Sequence, residues 1–323
     1  MYPLKTILIG GGNVACGKNR FAGKEPMSHM EGILFSSNVF CHAIVEPNLA
    51  KVATIMNDWE GVRVYQDLTD VPLEAREVVV ICSPTTEHYI CIKRAVERQP
   101  LVIIVEKPLC LDITQANDIL AMSQKFHVPV YVNYNRRLDK RFNELLSMVP
   151  NKPLSIQVEY ANGIYNYSSH FIDLLLQWYG GCESVTQIGK FNLNLPDPNP
   201  SFFLQFDSEF SAYFWGFDNV DYDLLDMKIW NKSGSLRLKA GGACVSMERP
   251  LSGLFYEKYD HLDTVWQSTG MVSGFRELYE LLGSTKNFHF LDRACGLEMS
   301  ILNVRIIEAV LKSHMQGGRT IYL

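Results

Sequence analysis

The segment Leu4-Lys5-Thr6-Ile7-Leu8-Ile9-Gly10-Gly11-Gly12-Asn13-Val14-Ala15 decides how the rest of the chain is read. Leu4 to Ile9 is a short apolar run with the length of a buried strand, and it breaks directly into glycines. The break fits G-x-G-x-x-A. Gly10 permits a tight turn, Gly12 lets backbone come close to a pyrophosphate, and Ala15 lets the next helix pack against the strand. Asn13 and Val14 open that helix, whose first N–H groups would face phosphates. Glycines also make ordinary turns. Their place immediately after an N-terminal strand is what favours a dinucleotide site.

Working outward, further apolar runs occur at Val39 to Val45, Val78 to Cys82, Leu101 to Val105 and Val128 to Val132. Consecutive apolar residues suit strands covered on both faces. His88 to Arg98 and Thr114 to Phe126 carry helical spacing, with Asp112 and Thr114 as candidate N-caps. This alternation predicts an α/β Rossmann domain, a parallel doubly wound sheet, over residues 1–135. After about residue 150 the texture changes. Leu154 to Tyr160, Ser184 to Lys190, Ser201 to Phe206, Phe210 to Phe217, Leu225 to Trp230 and Ser235 to Lys239 read as closely spaced strands. Asn231-Lys232-Ser233-Gly234 suits a hairpin turn. Helices are predicted at His170 to Tyr179, Ser273 to Leu282 and Asp292 to Met315, with a closing strand at Thr320 to Leu323. Residues 136–323 are therefore expected to form an α+β domain. Its sheet should be large, open-faced and mostly antiparallel, with helix 292–315 packing back toward the first domain.

At 323 residues the chain is long for one domain and comfortable for two. A hydrophobic fraction of 47% and a charged fraction of 20% exclude disorder. The formal net charge of −5 argues against nucleic acid as a partner. No apolar run approaches the ~20 residues needed to span a bilayer, so no membrane partner is expected. The eight cysteines never form C-x-x-C and mostly lie beside apolar residues, which fits buried reduced thiols and a cytoplasmic protein. No metal site is expected.

Glu46, at the end of the second run, could accept both ribose hydroxyls of an adenosine and would repel a 2′-phosphate. Pro47 and Asn48 offer no cation for such a phosphate, which favours NAD over NADP. Glu46 lies beyond the usual ~20 residues from the glycines, attributed here to an insertion at Cys16 to Met27. It could instead simply cap the next helix.

Three further segments complete the pattern. Val78 to Cys82 runs into Ser83-Pro84-Thr85-Thr86-Glu87-His88, and the next strand into Glu106-Lys107-Pro108-Leu109. The third is Gly163-Ile164-Tyr165-Asn166-Tyr167-Ser168-Ser169-His170-Phe171-Ile172-Asp173. Lys107 follows a buried strand, so it belongs to the carboxyl edge of the sheet, where ligands of open α/β folds bind. A partly desolvated lysine can exchange protons near neutral pH. Pro108 stiffens the turn and could adopt the cis form, aiming Lys107 into the cleft. Glu106 could orient Lys107 or hold a nicotinamide. His170 and Asp173, spaced i, i+3, share one helix face.

With the glycine turn, these segments resemble the glucose–fructose oxidoreductase / inositol dehydrogenase / rhizopine catabolism (Gfo/Idh/MocA) family over nearly the whole chain. The resemblance implies hydride transfer between nicotinamide and a hydroxyl or carbonyl carbon of a sugar, sugar nucleotide or related polyol. It places Ser83, Pro84, Thr85 and His88 under the nicotinamide ribose, although a Ser-Pro-Thr-Thr-Glu cluster is equally good helix capping. It also implies an acid/base pair written D-x-x-x-H-x-x-D, whose first acid is Asn166 here. Asn166 cannot ionise, so His170 becomes the acid/base candidate with Lys107, and Asp173 orients it. Asn135-Arg136-Arg137, just past a strand end, could meet the cofactor or an acidic substrate, or simply lie on the surface. The competing possibility, kept open by Asn166, is a non-catalytic NAD(H)-binding sensor. The family's habit of covering its open sheet with another subunit implies a homo-dimer or homo-tetramer, with Phe202 to Phe206 and Phe210 to Phe217 as candidate contact strands.

Overall fold

The computed structural model describes residues 3–18, 25–206, 210–251, 258–267, 274–288, 291 and 293–323. Two compact units result, Met1–Lys140 with Ser273–Val304, and Arg141–Val272 with Arg305–Leu323.

The first unit is a sheet of Leu4–Ile9 (β1), Val39–Val45 (β2), Val64–Tyr65 (β3), Glu77–Ile81 (β4), Val102–Glu106 (β5) and Val130–Asn133 (β6). These run parallel in the order 3-2-1-4-5-6, and the short strand Cys295–Gly296 is added antiparallel to β6. That is the doubly wound order in which strand ends diverge at the β1/β4 boundary and open a crevice. Alternate residues of the strands feed two separate cores. Ile7, Val79, Ile103 and Val132 pack with Ile92, Ala116 and Ile119 on one face. Leu8, Ile44, Val80 and Ile104 pack on the other with Tyr279 and Leu282.

The helices are Asn13–Cys16 (α1), His29–Leu34 (α2), Leu49–Asp58 (α3), Thr85–Val96 (α4) and Ile113–Phe126 (α5). Asp112 caps α5 by accepting from Gln115 N–H (2.9 Å), while Thr114 falls inside the helix. α4 begins at Thr85, not His88, because Pro84 serves as its N-cap. The helix expected after the glycine turn is one turn long and stops at Gly17. The chain resumes at Ser28, whose hydroxyl caps α2 by accepting from Glu31 N–H. Residues 19–24 of the expected insertion lie outside the described residues.

A single boundary after residue 135 is corrected to a discontinuous one. The chain leaves the first unit after Lys140 and re-enters it for Ser273–Val304. The physical reason is burial: Leu278, Tyr279 and Leu282 of the helix Phe275–Ser284 complete one core, and Leu297, Ile301 and Val304 complete the other. The helix expected from 292 begins at Leu297, and 292 lies outside the described residues.

The second unit is built on Ser155–Tyr160 (β7), Cys182–Ile188 (β8), Ser201–Phe206 (β9), Phe210–Gly216 (β10), Leu225–Asn231 (β11), Gly234–Lys239 (β12), Cys244–Leu251 (β13) and Lys258–Gln267 (β14). With the closing strand Ile321–Tyr322 they form nine strands in the order 14-13-12-11-7-10-9-8-closing. All described pairs are antiparallel except β7 with β10. β13 and β14 escaped the sequence reading because Pro250 interrupts one and polar residues dilute the other. The expected turn joins β11 to β12, with Asn231 Oδ1 accepting from Ser233 N–H (2.7 Å).

The aromatic strands divide by face. Phe202, Phe206 and Phe214 are buried, Phe202 stacks on Phe214 at 4.6 Å, and Tyr179 meets Phe210 edge-on at 4.9 Å. Phe202, Phe206 and Phe214 belong to the core, whereas Phe203, Phe210 and Tyr213 are half-buried. Trp215 and Phe217 are the ones left exposed.

Candidate functional site

The three glycines after β1 are glycines for different reasons. Gly10 has φ +96°, and a Cβ there would lie 2.7 Å from Ser83 N. A Cβ on Gly11 would lie 2.4 Å from Ile55 Cδ1. Gly12 has φ −71°, which any residue adopts, and no heavy atom of the described residues lies within 4 Å of its would-be Cβ. Among the described residues packing therefore requires Gly10, crowds Gly11 against the tip of Ile55, and asks nothing of Gly12. An open cradle at this position is what close approach of a pyrophosphate demands. Beside it lies a cleft of about 550 Å³ lined by Gly11, Gly12, Asn13, Lys18, Lys51 and Thr54. Val14 is half-buried and Ala15 fully buried, as helix–strand packing requires.

Glu46 is buried at the end of β2. Its Oε2 accepts from Gly11 N–H (2.8 Å) and its Oε1 from Asn48 N–H (2.9 Å). The cap of α3 is Asn48, whose side chain accepts from Ala50 and Lys51 N–H, so Glu46 is free of that duty. Its carboxylate is fixed against the glycine turn with lone pairs remaining for ribose hydroxyls. Pro47 and Asn48 bring no cation, but the next helix does. One turn of α3 brings Lys51 Nζ to 3.8 Å from Glu46 Oε2. Burial, with the Glu46 charge adding to it, pushes the neighbouring Cys16 thiol up to about 12. All eight cysteines are thiols.

The ends of β4, β5 and β6 supply a second group. His88 is buried, with Nδ1 2.9 Å from Pro108 O and Nε2 2.9 Å from Ser83 O. It ties the loop after β4 to the loop after β5. Burial pushes its ring below the ordinary imidazole range, opposed by the two carbonyls and Glu106, so a neutral ring donates from one nitrogen at a time. Ser83 and Thr85 are half-buried, Pro84 is exposed, and the Ser83 hydroxyl lies 3.5 Å from Cys91 Sγ.

The Lys107–Pro108 peptide is cis, and Lys107 is half-buried. Glu106 Oε1 accepts from His29 Nε2 (2.9 Å) and from Asn133 Nδ2 (2.6 Å). Burial by itself would raise the Glu106 carboxyl. His29, Asn133 and the Lys107 charge outweigh it and hold the group below its ordinary value. Asn133 Oδ1 and Asn135 Oδ1 are buried without hydrogen-bond partners among the described residues, leaving two acceptors at this sheet edge. Arg136 and Arg137 are buried, which corrects the possibility of surface arginines.

In the second unit, Asn166 lies on a π-helical turn, Ile164–Ser168, that leads into the helix Ser169–Tyr179 carrying His170 and Asp173. His170 and Asp173 are buried, and Asn166 is exposed. The turn is braced from one loop. Asp197 accepts from Tyr165 N–H (2.9 Å) and Asn166 N–H (2.8 Å), and Asn199 Oδ1 accepts from Gly163 N–H (2.7 Å). Gly163 has φ +99°, and a Cβ there would lie 1.9 Å from Asp197 Cγ. Asp197, Asn199, Asn133 and Tyr279 were missed because no local pattern marks a residue whose partner is remote in sequence.

A 3-2-1-4-5-6 parallel sheet, an open glycine cradle and a fixed carboxylate at the end of β2 define a dinucleotide-binding Rossmann unit. Comparison with known proteins agrees. Residues 4–134 match the family model described as an oxidoreductase family with an NAD-binding Rossmann fold, GFO_IDH_MocA. The uncharacterized oxidoreductase YrbE of Bacillus subtilis is 34% identical over 87 residues, 27% of this chain and 25% of its own length. Inositol 2-dehydrogenase of Corynebacterium glutamicum is 30% identical over 116 residues, 35% of this chain and 34% of its own length. The alignments thus span a quarter to a third of these curated relatives. Aldose-aldose oxidoreductase of Caulobacter crescentus shares the fold, with a TM-score of 0.78 at 14% identity over 99% of this chain and 100% of that one. Over residues 4–134 the chain is therefore similar to the Gfo/Idh/MocA oxidoreductase family. Among the described residues, no helix is long and apolar enough to cross a membrane.

Proposed function

We propose that the chain is an NAD-dependent dehydrogenase or reductase acting on CH–OH groups of a sugar, sugar nucleotide or related polyol. The observation that carries the proposal is Gly12, a glycine that no contact among the described residues explains. Gly10, Gly12, Asn13 and Val14 would border the pyrophosphate, Glu46 the adenosine ribose, and Ser83 to Thr85, Glu106, Asn133 and Asn135 the nicotinamide end. When bound, the nicotinamide supplies the hydride acceptor or donor. Roles for the protein's own groups are assigned unit by unit. In the first, Lys107 handles the substrate's hydroxyl proton and offsets developing charge on its oxygen, and Arg136 supports an acidic group. In the second, His170 is the acid/base group, Asp173 orients it and Asn166 hydrogen-bonds a hydroxyl. Glu46 favours NAD because a 2′-phosphate would meet its carboxylate, and Lys51 softens that preference. The polyol class follows from the names borne by relatives, inositol 2-dehydrogenase and aldose-aldose oxidoreductase. A homo-dimer or homo-tetramer formed through the second unit's sheet, and a reducing cytoplasmic setting for the eight thiols, complete the proposal.

The test is fluorescence titration of wild type and Lys107→Ala with NADH and NADPH, then turnover on myo-inositol, aldoses and UDP-sugars. Tighter binding of NADH than NADPH is expected, with turnover lost by roughly 10²- to 10⁴-fold in the variant and NADH binding retained. NADH binding with no turnover on any substrate would favour the sensor possibility, for which Asn166 is the motivating residue.

A further inference from the structure

His29 is a fully buried histidine that the proposed chemistry does not use. α2 carries it, and α2 lies close against the helix Phe275–Ser284: a Cβ on Gly32 would stand 2.7 Å from Tyr279 Cδ2 and 2.9 Å from Phe275 O. That approach puts His29 Nδ1 2.9 Å from Tyr279 Oη and leaves the ring edge-on to Phe275 at 4.9 Å. Nε2, on the other side, meets Glu106 Oε1 at 2.9 Å. A carboxylate can only accept, so Nε2 carries a proton. With a neutral ring, Nδ1 then accepts from the Tyr279 hydroxyl, giving a directed chain from Tyr279 through His29 to Glu106. Asn133 donates to the same Glu106 oxygen (2.6 Å), which leaves Oε2 for other partners.

Resting on the role assigned to Lys107, we infer that His29 is a positioning residue that fixes Glu106 as an oriented carboxylate beside Lys107, with Tyr279 setting the histidine's tautomer. A buried carboxyl without donors protonates, because burial disfavours its charge. Here burial is outweighed and Glu106 stays ionised, with the His29 hydrogen bond the first of the opposing causes. Among the described residues His88 also feels Glu106, its ring lowered by burial, and four further titratable groups belong to this cluster: Tyr279, Cys82, Cys41 and Cys16. Burial pushes all four up, so they carry no charge near neutral pH. Glu106 therefore contributes a negative charge at Lys107, and His29 helps to hold that charge in place.

Two substitutions separate this role from mere packing. His29→Gln can place an N–H donor where Nε2 stood, whereas His29→Asn reaches only the Nδ1 position toward Tyr279. The first readout needs no substrate: carbon-13 reductive methylation, with the Lys107 resonance identified by its loss in Lys107→Ala, gives that lysine's titration midpoint. The second is kcat and KM on whichever compound of the panel above turns over. In His29→Asn the midpoint falls, since an opposite charge that favoured the ammonium is lost. There kcat drops on the order of 10- to 100-fold with little change in KM, as expected for losing a hydrogen bond to a charged group. His29→Gln restores both. An unmoved Lys107 midpoint in a folded His29→Asn protein, or equal behaviour of the two variants, overturns the inference. If His29→Asn does not fold, Glu106→Gln decides through the same midpoint, which must fall. Failure of the catalytic proposal reads differently: Lys107→Ala keeps turnover while the midpoints still move.

Discussion

In the first unit the candidate groups sit at the ends of β1, β2, β4, β5 and β6, gathered from distant parts of the chain by strand order alone. In the second they lie in one short stretch, Asn166 to Asp173, and what holds that stretch is a pair of side chains, Asp197 and Asn199, from a later loop. The difference is one of tolerance. Parallel strands ending on one edge deliver their loops to a common place whatever the loop residues are. A π-helical turn braced by a carboxylate depends on that carboxylate and on the absence of a Cβ at Gly163.

The contrast can be broken most forcefully at the scaffold of the first unit. Arg98 donates to both oxygens of buried Glu77 and to the carbonyls of Leu68, Val71 and Pro72. Arg98→Ala leaves a buried carboxylate unpaired and should cost about 3–5 kcal/mol in urea unfolding. A loss under about 1 kcal/mol would mean the strand-end geometry does not rest on this clamp.

Next comes the brace of the second unit. Gly163→Ala meets both a left-handed φ and the Asp197 carboxylate, with an expected cost of about 2–4 kcal/mol. Asp197→Asn keeps an acceptor for only one of the two N–H groups without reorganisation, and should cost about 1–2 kcal/mol. Equal stability of Gly163→Ala and wild type would show that the turn is not fixed as described.

Gly12→Ala sharpens the comparison from the other side. Its Cβ enters open space at an ordinary φ, so unfolding should move by no more than about 0.5 kcal/mol. NADH affinity should nevertheless fall about tenfold or more, about 1.4 kcal/mol, if the cradle is for a pyrophosphate. Unchanged affinity would remove the observation on which the cofactor proposal stands.

The smallest effect is a pH slope confined to the first unit's strand ends. Burial lowers the His88 ring from its ordinary 6.5, so the unfolded chain takes up that proton first. The corresponding stability is whole above 6.5 and is lost as pH falls through the lower folded value. Glu106, held below its ordinary 4.5, contributes stability present above 4.5 and lost on further acidification. Urea midpoints followed from neutral to acidic pH should therefore decline, and His88→Gln should flatten the upper limb.

The sequence by itself determined the glycine turn, the strand ends that carry Glu46, Lys107 and Asn135, and the helix that carries His170 and Asp173. Those features are local: apolar period, turn residues and caps are written in consecutive positions. Only the tertiary structure decided that Gly12, unlike Gly10 and Gly11, has no packing duty among the described residues, that Lys51 stands beside Glu46, and that His88 braces two loops. It also decided that the chain returns to its first unit through Phe275–Ser284, which is what places Tyr279 behind His29 and His29 behind Glu106. Each of these is a contact between residues far apart in the chain, and a hydrogen bond or a close approach of that kind leaves no period in the sequence to be read.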